Sequence, residues 1–89
     1  MIKTSESVFK GHPDKICDQV ADYILTKLLN QDKHTRAGIE CLIKDDLLVI
    51  AGEVSTQAII DYTKTAKDCL DLIGLNSNEF HILEKISVQ

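Results

Sequence analysis

The sequence contains no tryptophan, two tyrosines, two phenylalanines and a single proline among its 89 residues. With so few rings, a core has to come from Ile, Leu, Val and Ala. Cysteine is scarce too: Cys17, Cys41 and Cys69 are odd in number, widely spaced and form no CxxC. That pattern argues against a disulfide framework and a structural zinc site. The thiols read instead as small apolar residues in a reducing cytoplasm. No apolar run approaches the length of a transmembrane helix, and Met1–Glu6 lacks the apolar stretch of a signal peptide. A basic stripe is also missing. Fourteen acids against ten bases give a net charge of −4, which speaks against binding a nucleic-acid backbone. The charged fraction of 27% and the lone proline do not fit a disordered chain. One small domain remains, burying roughly 60–65% of the surface its unfolded chain would expose.

What is present divides into helical and alternating stretches. From Pro13 onward Ile16, Val20, Ile24 and Leu28 recur on one face, and the pattern fades at Asn30-Gln31-Asp32. Pro13 suits the first helical position, where its missing N–H would be unbonded anyway. Thr35 to Val54 reads as a hairpin. Ala37, Ile39, Cys41 and Ile43 alternate with Arg36, Gly38, Glu40 and Lys44, and Asp45-Asp46 forms the turn before the apolar arm Leu47–Gly52. A second helix is expected after a cap at Ser55 or Thr56, burying Ile59, Tyr62, Ala66, Cys69, Leu70 and Ile73 and ending at Gly74. Phe80–Leu83 reads as a short strand. The expected fold is α+β, with two helices on a mainly antiparallel sheet in the order helix, hairpin, helix, strand.

Two groups of residues could carry chemistry. In Gly11-His12-Pro13-Asp14-Lys15, a glycine precedes a helix start whose amides suit an anion. His12 could donate to a phosphate, Asp14 could ligate a hard cation and Lys15 could supply a point charge. A loop, an early proline and a first-turn acid also occur on helices that bind nothing. The second group is Glu40 and Glu53. A two-residue turn at Asp45-Asp46 pairs Lys44 with Leu47, Glu40 with Ala51 and Gly38 with Glu53. The two carboxylates then lie diagonally on one face, about 7–8 Å apart at Cα. They could share a site, or that end of the hairpin could simply be exposed. His34 and His81 carry no comparable signal.

Thr4-Ser5-Glu6-Ser7-Val8, Gly11-His12-Pro13-Asp14-Lys15-Ile16-Cys17-Asp18-Gln19 and Ala51-Gly52-Glu53-Val54 together closely resemble the start of the S-adenosylmethionine synthetase (methionine adenosyltransferase) family. The resemblance implies an enzyme of three similar α+β domains that joins the sulfur of methionine to C5′ of ATP. The triphosphate is expelled and hydrolysed to phosphate and diphosphate. It implies that His12 is catalytic and contacts the ATP phosphates, that Asp14 ligates magnesium and that Glu40 ligates potassium. Glu53 matches the methionine-binding glutamate, and Gln89 the loop glutamine that contacts methionine. Glu6 and Lys15 fall in the active-site neighbourhood.

Residues 1–89 are accordingly expected to form an N-terminal domain, a fragment of a longer synthetase. The implied partners are ATP, L-methionine and the remaining domains, with active sites between subunits of a homo-oligomer. The isolated chain is expected to be inactive. The alternative is a non-catalytic binding or assembly module that partners a longer synthetase chain. Two departures from the family pattern stand out: Phe9-Lys10 ahead of the glycine, and Asp45-Asp46 at the hairpin turn.

Overall fold

The computed structural model describes residues 13–89. Helix α1, Pro13–Gln31, follows from its spacing, since Ile16, Val20, Ile24 and Leu28 are all buried. Strands β1, Arg36–Lys44, and β2, Leu47–Ser55, pair antiparallel about the Asp45-Asp46 turn. Asp45 takes a positive φ of 55°, a conformation that a short polar side chain tolerates better than most. Lys44 pairs with Leu47, Glu40 with Ala51 and Gly38 with Glu53, which is the register expected of a two-residue turn.

After β2 the chain departs from expectation. Residues Ser55 and Thr56 do not start the second helix. Ser55 ends β2, and helix α2 spans Tyr62–Leu72 with Asp61 as its N-cap. The Asp61 carboxylate accepts the Lys64 amide at 3.0 Å. The intervening segment is held against the end of α1 instead. Gln31 donates from Nε2 to the Ile59 carbonyl and accepts the Ile59 amide, while the Asp32 carboxylate accepts the Gln57 amide at 2.8 Å. Ile59 is therefore 86% exposed and not part of the core. The rest of the expected apolar side holds: Ala66, Cys69 and Leu70 are buried, and Tyr62 and Ile73 pack against them.

Helix α2 ends in a Schellman arrangement, with Gly74 N–H bonded to Asp71 and Leu75 N–H to Leu70. Gly74 supplies the positive φ of 94° that this ending requires. A 3-10 turn at Ser77–Glu79 then leads into β3, His81–Val88, which runs parallel to β2. The parallel pairing follows from the connection. An 11-residue helix carries the chain about 16 Å back before the next strand begins. The fold is α+β, with two helices on a three-stranded mixed sheet in the order β1-β2-β3. The core lies between the helices and one sheet face, where Leu48, Ile50 and Val54 meet Ile24, Leu28 and Leu70.

Candidate functional site

The period of a strand decides which residues stay outside. On β1, Ala37, Ile39, Cys41 and Ile43 turn towards the helices, while Arg36, Gly38, Glu40, Leu42 and Lys44 are exposed. The strand pairing puts Glu53 and Ser55 of β2, and Ser87 of β3, on that same outer face. At the end of the sheet away from the hairpin turn, this face forms an open concavity of about 710 Å³. Glu40, Glu53 and Gln89 all line it, together with Arg36, Gly38 and Ala51. Gln89 is brought there by backbone pairing beyond β3, its amide donating to the Val54 carbonyl at 2.8 Å.

Gly52 determines how closely the two arms of the hairpin approach here. Its φ is 148°, and a Cβ at this position would run into the carbonyl of Gly38. The strand ends beyond it are tied together as well. The Thr35 and Thr56 hydroxyls hydrogen-bond at 2.6 Å, and Thr35 also donates to the Asp32 carbonyl. The Asp32 carboxylate accepts the backbone N–H groups of Gln57 and His34. These bonds hold its pKa below the usual carboxylate range.

The helix-start residues are elsewhere. Asp14 and Lys15 are exposed in the first turn of α1, on the helical layer. Cys17, three residues on, lies by the backbone of Ile43 near the hairpin turn. Asp14 and Lys15 are thus across the sheet from the concavity and at its opposite end. Glu6 and His12 lie outside the described residues. Among the described residues no three His, Cys, Asp or Glu side chains converge as a metal centre, so Asp14 and Glu40 each offer a single oxygen-donor group. No helix among them is long and apolar enough to cross a membrane. All three cysteines are free thiols, and burial pushes the pKa of each up, that of Cys41 to about 12.

The sequence model of the S-adenosylmethionine synthetase N-terminal domain matches residues 1–89. The chain belongs to this family. Among similar proteins, the S-adenosylmethionine synthase of Mycoplasma capricolum subsp. capricolum is 44% identical over 93 residues, covering 97% of this chain and 24% of the relative. The corresponding synthase of Mesoplasma florum is 46% identical, covering 89% of this chain and 21% of its own. That of Brachyspira hyodysenteriae is 47% identical, covering 85% of this chain and 19% of its own. The chain spans about a quarter or less of the length of these synthases. It therefore belongs to a transferase family of which it carries the N-terminal region. Within that region, sequence reasoning did not single out Arg36 and Gly38 as lining residues. The signal was their place in the outward-facing alternation that also contains Glu40.

Proposed function

We propose that residues 1–89 contribute part of a methionine adenosyltransferase site, which forms S-adenosylmethionine from ATP and L-methionine and releases phosphate and diphosphate. The observation that carries this reading is the gathering of Glu40, Glu53 and Gln89 at one concavity in a chain of this family. In this reading Glu53 accepts hydrogen bonds from the methionine ammonium group, and the side-chain amide of Gln89, just beyond β3, holds the same substrate. Fixing the thioether in this way presents its sulfur to C5′ of ATP and removes much of the entropic barrier to attack. Glu40 would supply one oxygen ligand to potassium.

The leaving triphosphate is a polyanion, so cationic and hydrogen-bond stabilisation dominates the barrier reduction. Bound magnesium would neutralise phosphate charge, and Asp14 suits it as one hard oxygen donor. By the family resemblance His12 would donate to the phosphate chain, and Lys15 and Glu6 would belong to the same active-site neighbourhood. Because Asp14 and Lys15 stand across the sheet from Glu53, the two groups of one chain serve different sites. This separation supports active sites assembled between copies in a homo-oligomer.

Product analysis with ATP and L-methionine tests the reading. The purified 89-residue chain should make no S-adenosylmethionine above background, and turnover should appear when the remaining synthetase domains are supplied in trans. Robust turnover by the chain alone, free of host enzyme, contradicts the composite site. No turnover with the added domains favours an assembly module.

A further inference from the structure

Three positions of β1 face three of β2 across the concavity: Arg36 opposite Ser55, Gly38 opposite Glu53 and Glu40 opposite Ala51. Glu53 therefore has no side chain directly opposite it. A Cβ placed on Gly38 would meet no atom within 4 Å, so the space above this position is open. The two diagonal neighbours of Glu53 on β1 carry opposite charges, Arg36 on one side and Glu40 on the other. Diagonal neighbours are separated by about 7–8 Å, within reach of long side chains. Yet among the described residues the charged contacts are Lys64–Asp68 and, when its imidazole is protonated, His81–Asp46, and Arg36 pairs with neither glutamate. Arg36 is exposed and lines the concavity, and among the described residues no carboxylate pairs with it.

We propose that Arg36 receives the α-carboxylate of the amino-acid substrate whose ammonium group is held at Glu53, so that the two side chains grip a zwitterion over Gly38. The inference rests on the reading of Glu53 as the methionine-binding glutamate. An α-amino acid presents a cation and an anion joined through one carbon, and it needs an acceptor and a donor spaced around an open position. Arg36, Gly38 and Glu53 provide that order. The planar guanidinium matches a carboxylate with two parallel N–H donors, a fit that lysine's single ammonium does not reproduce. Arg36 is also presented from an anchored strand end. Thr35 before it and Thr56 beyond its partner Ser55 are joined through their hydroxyls, and Thr35 is bonded back to Asp32. The open floor at Gly38 is the second requirement, because any larger side chain there would occupy the space between the two charges.

The test uses a full-length synthetase carrying this N-terminal sequence, assayed with L-methionine and with L-methioninol, in which a hydroxymethyl group replaces the carboxylate. The wild type should prefer methionine. Arg36→Gln should raise the KM for methionine about 10- to 100-fold, the scale for losing a charge-assisted bidentate contact. The KM for ATP should stay within about twofold, and the preference for methionine over methioninol should collapse, with Arg36→Lys recovering part of it. A merely structural role would weaken both substrates alike and leave that preference intact. Equal kcat/KM values of the wild type for methionine and methioninol would overturn the proposal even if Arg36→Gln did not fold. Glu53→Gln separates the two levels of the argument. If Glu53→Gln weakens methionine and Arg36→Gln does not, Arg36 alone is wrong. If Glu53→Gln leaves methionine unaffected, the reading of Glu53 fails and the zwitterion grip falls with it.

Discussion

Glu53 and Gly38 are register partners on the outer face of the hairpin, so a carboxylate stands opposite a position with no side chain. One residue back along β2, Gly52 turns its missing Cβ towards the carbonyl of that same Gly38. The two glycines thus have separate consequences. Gly38 leaves space for a ligand, whereas Gly52 lets the backbones close up beneath it.

Gly52→Ala should be markedly destabilising, because alanine is strained at a φ of 148° and its Cβ would meet backbone. A loss of about 2 kcal/mol or more is expected, on the scale of a strained backbone position. Gly38→Ala has room and should leave stability nearly unchanged. Chemical denaturation of both variants checks the contrast.

Asp32 should make stability depend on acid pH. Its folded pKa is lowered by the amides of Gln57 and His34, so its contribution is present above the ordinary value of 3.8 and is lost as pH falls through the folded value. Asp32→Asn should be less stable than the parent near neutrality, with the difference shrinking below about pH 4. Thermal unfolding from pH 7 to pH 2 measures this.

How much of this could be read from residues alone differs by element. The β1–β2 register was legible because a period of two and an Asp-Asp turn are local signals, and the register decides that Glu40 and Glu53 share a face. The start of α2 was not. Ile59 sits at helical spacing from Tyr62, but Gln31 and Asp32 bind the backbone of residues 57 and 59 and keep that segment out of the helix. Those partners come from 25 and 28 residues earlier, beyond any local pattern. The parallel pairing of β3 was hidden for the same reason. The neighbourhood of Glu53 and Gln89 depends on that pairing, while their separate roles came from family resemblance.

Cys41 should behave as an inert thiol. Burial raises its pKa to about 12, so the folded protein keeps it protonated across the neutral and mildly alkaline range. Iodoacetamide should label it slowly in the native state at pH 8 and rapidly after denaturation. A thiol of ordinary pKa 9.0 in the unfolded chain ionises more readily there, so this group's contribution to stability falls as pH rises above about 9. Cys41→Ala should remove that alkaline component, which unfolding curves between pH 8 and pH 11 would reveal.

In a complete synthetase bearing this N-terminus, His12→Asn should lower kcat by about 10²–10³ with little change in the KM for ATP. That is the range for losing one oriented donor to developing charge. Asp14→Asn should instead weaken the magnesium dependence if, as proposed, its carboxylate is one of the hard oxygen ligands. Near-normal turnover per folded site in His12→Asn would remove the histidine from the mechanism.

In the proposed site Glu53 of β2 and Gln89, the residue after β3, meet at one concavity and hold the same methionine. A double-mutant cycle on methionine kcat/KM in the full-length synthetase tests it most directly, using Glu53→Gln, Gln89→Ala and the pair. Two side chains on one small ligand should couple by about 0.5–3 kcal/mol, so the double variant should lose clearly less than the product of the single losses. Single variants that leave methionine kcat/KM unchanged, or losses that multiply without coupling, would contradict the account.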